Sequence, residues 1–370
     1  MRKEKYQNII GAYIQIQFIN SKGSFVDANK FLVEDKEIIF DKAICCVGSS
    51  LAIPLIKNLD KIKYFTSDNI FDIDHLPEHL IIIGGGAISL ELAQAFRRFS
   101  SKVTILEALP QIASNFDRDL TEILQKHLQN EGIEIFTSTK VMEIFEDNGK
   151  VCVKINHKQK EKVIIGSDLL IATGRNPNTN DLNLEIANVK CDSKGFIKVN
   201  EFLRTSNNNI YAAGDCVGKM MLVTVAAMEG ATAAENALIG NKRTINYNYI
   251  PYALFTDPAI AAVGINLNSL NQDNFSIKIL TFDKVPRALL SNADGIIKVV
   301  SNKEGDKILG IHILAPNASE IIHKAVLMIK YNIFKDVVYL ADIYPALSEG
   351  IKLVIQTFEK DISKLSCCAE

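Results

Sequence analysis

The sequence has no tryptophan, and none of its seven cysteines falls in a CxxC or CxxxxC pair. Zinc ribbons, thioredoxin-like dithiols and disulfide scaffolds are thereby excluded. Its six histidines are scattered without metal-ligand spacing, so no structural metal site is assigned. No apolar run reaches the ~18 residues that span a bilayer. The first ten residues are basic, but no signal-peptide core follows them. A net charge of −2 gives nothing for nucleic acid or an anionic membrane to recognise. These absences predict a cytoplasmic protein with neither nucleic-acid nor membrane partners. What is present is ordinary globular composition, 48% hydrophobic and 23% charged over 370 residues, enough for two or three domains.

One stretch organises the rest, Leu80 to Glu107. Leu80–Ile83 is an unbroken apolar run, as a strand buried on both faces would be. Gly84-Gly85-Gly86 then opens a helix, starting with Ala87 and Ile88, whose apolar positions are Leu90, Ala93, Phe96 and Phe99. A second apolar strand, Val103–Leu106, ends on Glu107. Strand, glycines, helix, strand and acid together form a dinucleotide-binding pattern. The glycines admit a pyrophosphate, and the helix amino terminus offers it free N–H groups. Glu107 stands where a carboxylate accepts hydrogen bonds from ribose hydroxyls, which favours NADH over NADPH. Ser89 replaces a third glycine and is small enough for close packing.

Elsewhere, residues 1 to about 50 alternate in short runs, including Ile14–Phe18 and Phe25–Asp27, and predict strands. Asp41–Ser49 reads as a buried strand with a small-residue turn. A helix is expected over Asp117–Asn130 and strands near Ile133–Thr137 and Val151–Ile155. Asp168–Pro177 is a further strand and turn. Ile210–Asp215 delivers an acid at a strand end, followed by an Ala-rich helix over Val225–Leu238. Strands at Ala259–Val263, Ser276–Thr281, Gly295–Val300 and Ile308–Leu314, then helices at Glu320–Tyr331 and Ser348–Phe358, predict a separate α+β domain.

Several motifs in order resemble the flavin-dependent pyridine nucleotide–disulfide oxidoreductases. They are the Gly84 unit, Ala172-Thr173-Gly174-Arg175, Ile210-Tyr211-Ala212-Ala213-Gly214-Asp215, and Phe255-Thr256-Asp257-Pro258 with Val263-Gly264. The resemblance implies an α/β chain with two nucleotide-binding Rossmann-like domains and a C-terminal α+β dimerisation domain. The FAD domain would comprise 1–78 and 166–245, the NAD(P) domain 79–165 and the dimerisation domain 246–370. It also implies FAD and NAD(P)H as cofactors, with Gly214 and Asp215 on the FAD ribityl chain. Gly174 and Arg175 would lie at the second crossing between the domains, and Glu91 near nicotinamide and flavin.

Disulfide reductases of this family carry His-Pro-Thr-x-x-Glu, whose His serves the redox thiols as a base. Here the stretch is Tyr344-Pro345-Ala346-Leu347-Ser348-Glu349. A phenol with pKa ~10 is a poor base at neutral pH, although it can hydrogen-bond. The chain ends Cys367-Cys368-Ala369-Glu370, and adjacent thiols suit a soft cation better than a disulfide. Tyr344 with this tail is similar to the mercuric reductase branch, as are Val285-Pro286-Arg287-Ala288 and Gln356-Thr357-Phe358. That branch implies a homodimer passing electrons from NAD(P)H through FAD to Hg(II) or another thiophilic substrate. Cys367 and Cys368 would capture the metal, and Tyr344, Glu349 and Glu91 would be catalytic. The other five cysteines read as core or turn residues.

Two features depart from the family. The sequence has no glycine-rich FAD loop before the Gly84 unit and no CxxxxC, which reads as an N-terminally truncated member with turnover by this chain alone in question. Glu107 resembles dihydrolipoamide dehydrogenase rather than mercuric reductase. A dihydrolipoamide dehydrogenase relative, a non-catalytic remnant, and one part of a split protein served by a separately encoded FAD-loop piece stay open.

Overall fold

The computed structural model describes residues 9, 11–13, 15–268 and 270–361. The chain forms two compact bodies, Met1–Ser50 with Asn176–Ile245, and Leu51–Arg175 with Asn246–Glu370. In chain order the helices that carry the architecture are α1 (Ala87–Arg98), α2 (Arg118–Asn130), α3 (Val223–Ile239), α4 (Pro286–Ser291), α5 (Ala318–Tyr331) and α6 (Glu349–Gln356). Among the described residues no helix is long and apolar enough to cross a membrane.

In the first body an antiparallel meander, Gly23–Asp27, Lys30–Val33 and Lys36–Ile39, precedes a parallel pair, Ala43–Cys45 with Ile210–Ala212. Phe25, Cys45, Leu182, Ile210 and Cys216 share its core. Strand Ala43–Cys45 pairs on one side only among the described residues. A cavity of about 270 Å³ adjoins it, lined by Phe25, Phe31, Phe40, Ile44 and Cys46 among others. The expected strand over Ile14–Phe18 is corrected. Residues 16–20 form no strand, and Ile16 and Phe18 are 52% and 66% exposed. Ile14 lies outside the described residues, and among these no second layer buries the apolar side of the alternation, so it does not hold a strand.

The second body starts with a parallel sheet in the order Asp168–Ile171, His79–Ile83, Lys102–Leu106, Ile133–Phe136. It is buried on both faces, which is why Leu80–Ile83 reads as an unbroken apolar run. Leu80 and Ile82 pack with α1 and α2, whereas Ile81 and Ile83 pack against an antiparallel sheet of Thr139–Asp147, Lys150–His157 and Lys160–Gly166.

Beyond them lies a five-stranded antiparallel sheet ordered Tyr252–Leu254, Ala259–Gly264, Ile308–Ala315, Ile296–Asn302, Phe275–Thr281. Alternate residues of its strands serve two cores, as a period of two requires. Ile297, Val299, Ile311 and Ile313 meet α5 and α6, while Ile260, Ile296 and Leu314 join the core of the parallel sheet. Lys298 shares the face of Ile296. Its side chain is 3% exposed, and the ammonium lies 2.9 Å from Asp117 Oδ2 and 2.6 Å from Asp119 Oδ2 at the start of α2. Apolar contacts and the buried Lys298–Asp117 ion pair, with the half-exposed Asp119 beside it, thus fasten the parallel sheet to the terminal one.

Candidate functional site

The glycine turn between His79–Ile83 and α1 builds the most developed site. Gly84 has φ +109°, and a Cβ there would collide with the Ala172 carbonyl oxygen. Only glycine suits that conformation and that approach. Gly85 donates its N–H to Glu107 Oε2 and accepts from Ala113 N at 2.8 Å. Gly86, the N-cap of α1, has φ −82° and ψ −174°, and a Cβ there would meet nothing within 4 Å. No side chain caps the first turn of α1 among the described residues. Ala87 and Ile88 therefore present their backbone at an open, electropositive helix end, which suits a phosphate. Ser89 is fully buried, its Oγ 3.5 Å from the Ala172 oxygen.

Glu107 closes this loop. Its Oε1 accepts from Leu109 N at 2.6 Å while its Oε2 takes Gly85 N–H. Each carboxylate oxygen keeps further lone pairs, so the acid is oriented and still able to accept from a ligand hydroxyl. This loop fits a pyridine nucleotide: a Gly86 surface open to phosphate, free helix amides, and a fixed acceptor.

Glu91, one helical turn on, is half-buried, and its Oε1 accepts from Phe255 N at 2.9 Å. Burial holds the Glu91 carboxyl above the usual glutamate range, and the Phe255 N–H offsets part of that rise. Two further residues on the same helix face were not singled out in the sequence. Gln94 exchanges both its amide groups with the Asp257 backbone at 2.8 and 2.7 Å, and Arg98 reaches Asp257 Oδ2 at 2.9 Å. Their spacing of i, i+3 and i+7 was the available signal. Phe255-Thr256-Asp257-Pro258 is thus read through its backbone by α1.

Gly174 has φ +115°, and its carbonyl accepts from Ala52 N at 2.9 Å. Arg175 follows at the end of the Leu51–Arg175 segment. Tyr344 is 54% exposed in the loop before α6, and Glu349 is the first residue of that helix, 4% exposed. Gly214 and Asp215 belong to the other body. There Asp215 Oδ2 accepts from Ser49 Oγ at 2.6 Å, and Gly214 N donates to the buried Glu229 Oε2 at 2.6 Å. Sequence reasoning did not find Ser49 or Glu229, because neither stands near Asp215 in the chain. Cys367 and Cys368 lie outside the described residues. Of the other cysteines, Cys45, Cys152 and Cys216 are buried and Cys46 is exposed.

Residues 2–230 match the pyridine nucleotide-disulphide oxidoreductase family and residues 250–355 its dimerisation domain. The chain is 36% identical over 374 residues to a mercuric reductase of Staphylococcus aureus, across all of this chain and 68% of the relative. It is 36% identical over 375 residues to a mercuric reductase of Bacillus cereus, across 100% of this chain and 59% of the relative. Among solved structures, the HOCl-induced flavoprotein disulfide reductase RclA from Escherichia coli superposes with a TM-score of 0.84 at 25% identity. That match covers 96% of this chain and 82% of RclA. With one family model spanning more than half of the chain and the dimerisation model matching 250–355, the chain belongs to the pyridine nucleotide–disulfide oxidoreductases.

Proposed function

We propose that this chain is an FAD-dependent oxidoreductase of the mercuric reductase type, working in the cytoplasm as a homodimer. Its substrate is thiol-bound Hg(II) and its electron donor is NADH in preference to NADPH. The observation that carries this reading is similarity to mercuric reductases over the whole of the chain. Tyr344 in place of a histidine base and the terminal Cys367-Cys368 pair support it from the sequence.

Bound FAD and nicotinamide supply a two-electron relay. The roles of this chain's own residues follow from their chemistry. Gly84, Gly85, Gly86, Ala87 and Ile88 receive the dinucleotide phosphates on their backbone. Glu107 accepts from the ribose hydroxyls and repels a 2′-phosphate. Glu91 lies one turn along α1, on the nicotinamide side. Gly214 and Asp215 serve the flavin ribityl chain, and Gly174 and Arg175 the crossing between the nucleotide domains. Tyr344 and Glu349 line the thiol chemistry, and Cys367 with Cys368 takes Hg(II) from solution.

The homodimer draws support from exposed apolar side chains on the terminal segment, among them Leu290 at 72%, Tyr339 at 80% and Ile343 at 82%. The flavin half of the reading draws support from strand Ala43–Cys45, which among the described residues pairs on one side only and has room for a further strand. Glu107 favours a second reading, a dihydrolipoamide dehydrogenase-like reductase, which would reduce NAD with dihydrolipoamide and ignore Hg(II).

The deciding experiment is the visible spectrum of the purified chain after incubation with FAD and desalting, followed by NADH without oxygen. Retained flavin that NADH bleaches, with Hg(II)-dependent NADH oxidation, supports the proposal. Bleaching by NADH with no response to Hg(II) overturns the substrate. A colourless protein overturns the flavin assignment for this chain. Cys367→Ser with Cys368→Ser should lower Hg(II) turnover while NADH binding stays unchanged.

A further inference from the structure

The segment between Tyr64 and His79 is fixed twice to strand Asp168–Ile171, the outer strand of the parallel sheet. Near its start, Phe65 N donates to Leu169 O at 2.7 Å, and Phe65 O accepts from Ile171 N at 2.9 Å. The side of the strand away from His79–Ile83 is covered in this way. Ile70 is buried in the core of the parallel sheet, with Phe65 and Ile73 packed against that core. Near its end the segment returns to the same strand through His75, whose Nε2 lies 3.0 Å from Asp168 Oδ1. The Nδ1 of His75 lies 2.9 Å from Asp74 Oδ1.

Both ring nitrogens of His75 thus face carboxylate oxygens. An ionised carboxylate only accepts, and a neutral imidazole carries a single N–H, so one contact would set lone pair against lone pair. The imidazolium satisfies both. Asp168 is held for this role, being 9% exposed with its Oδ2 accepting from Ser167 Oγ at 2.7 Å. Asp74 is 96% exposed, so water screens its attraction and Asp168 is the anchor. The hydrogen bonds to Asp74 and Asp168 hold His75 above the usual histidine range. These two carboxylates are the charges that act on His75, and Lys63 acts on Asp74. His79, at the head of the neighbouring strand, donates its amide to Ser167 Oγ at 3.1 Å, but its ring goes to Thr104 Oγ1 at 2.8 Å. Burial and the Lys102 charge hold that ring below the usual range against the pull of Glu134, so it stays neutral where His75 is charged.

We propose that His75 is a proton-operated fastening, which as an imidazolium ties this segment to Asp168 and on losing a proton loosens it from the sheet edge. The neutral ring keeps at most one of the two contacts. A group raised in the folded protein contributes stability that is full below its ordinary value of 6.5 and lost as pH rises through the raised value. The hold is therefore strongest in acid. The strand it secures runs on into Ala172, whose carbonyl oxygen closely approaches Gly84. The fastening stands independently of the substrate proposed above.

The test is a carbon-13 NMR titration of the histidine rings in the full chain, with hydrogen exchange over residues 64–72 read by mass spectrometry. The parent is compared with His75→Gln and Asp168→Asn. The signal lost in His75→Gln identifies His75, whose half-exposed position lets that variant fold. This signal should titrate above pH 6.5, and Asp168→Asn should bring its midpoint down. Corrected for intrinsic rates, protection over 64–72 should fall as pH rises through that midpoint. The fall is set by the shift itself, about tenfold for each pH unit above the ordinary value. His75→Gln should show the weaker protection at every pH. If Asp168→Asn does not fold, the parent and His75→Gln decide alone. A midpoint at or below 6.5 overturns the charged ring. Protection that ignores both pH and His75→Gln overturns the fastening, as does a fall with pH that persists in His75→Gln.

Discussion

Gly84 and Gly86 stand two residues apart in one turn, yet the structure gives them opposite surroundings, and an alanine at each separates packing from the proposed phosphate contact. At Gly84 the backbone has φ +109°, where a side chain costs about 1–2 kcal/mol. The new methyl would also meet the Ala172 carbonyl oxygen. That carbonyl cannot yield freely, because the Ala172 amide is bonded to Ile83 O at 2.9 Å within the parallel sheet. Overpacking of this kind adds about 1–3 kcal/mol. Gly84→Ala should therefore lose about 2–5 kcal/mol, a large share of the ~5–15 kcal/mol that holds a domain. At Gly86 the backbone is extended and its neighbourhood is open, so Gly86→Ala should change stability by no more than about 1 kcal/mol, with the entropy of the unfolded chain favouring the variant. Its methyl would instead stand where a pyrophosphate must approach. NADH affinity should fall about tenfold or more, which is ~1.4 kcal/mol or more. Urea unfolding reads the first quantity and calorimetric titration with NADH the second. A Gly86→Ala protein that binds NADH like the parent would remove the phosphate from this turn. A Gly84→Ala protein as stable as the parent would refute the close approach to Ala172.

Glu91→Gln keeps an acceptor for Phe255 N but cannot ionise. A carboxyl held high in the folded protein contributes stability that is full below the ordinary glutamate value of 4.5 and lost as pH rises through the higher folded value. The variant should flatten the fall in stability that begins near pH 4.5 and match or exceed the parent at neutral pH, as unfolding curves across pH would show. Lys298→Met leaves Asp117 buried without its cation and should cost about 3–5 kcal/mol in urea unfolding. Adding Asp117→Leu should recover part of that loss. Gln94→Ala strips partners from both the N–H and the C=O of Asp257 and should cost about 1–3 kcal/mol, measured the same way.

Much of the second body was legible because its signals are local. Leu80–Ile83, the glycines and Val103–Leu106 follow one another, and each element's burial is written in its own period. The helix expected over Asp117–Asn130 forms at Arg118–Asn130, with Asp117 turned to the buried Lys298. What escaped was long-range. Gln94 meets Asp257 across 163 positions, and Lys298 meets Asp119 across 179. No periodicity reports such a meeting, since each partner alone reads as a solvated polar residue. Asp342 was missed for the same reason. Its neighbour in the chain is the conspicuous Tyr344, while the ammonium it pairs with, Lys324, comes from α5. The alternation over Ile14–Phe18 misled in the opposite way, since a strand's pattern means nothing until another layer exists to cover it.

The grip of α1 on Phe255 and Asp257 has a mechanical consequence. A twelve-residue helix is a rod ~18 Å long. Its amino end carries the glycine turn proposed to receive phosphate, and its far end is bolted through Arg98 to Asp257. The amides of Phe255 and Asp257 are clamped by side chains of that rod, not by a strand partner. Hydrogen exchange at those two positions would register the arrival of a nucleotide from well outside its footprint, with no label or inserted probe.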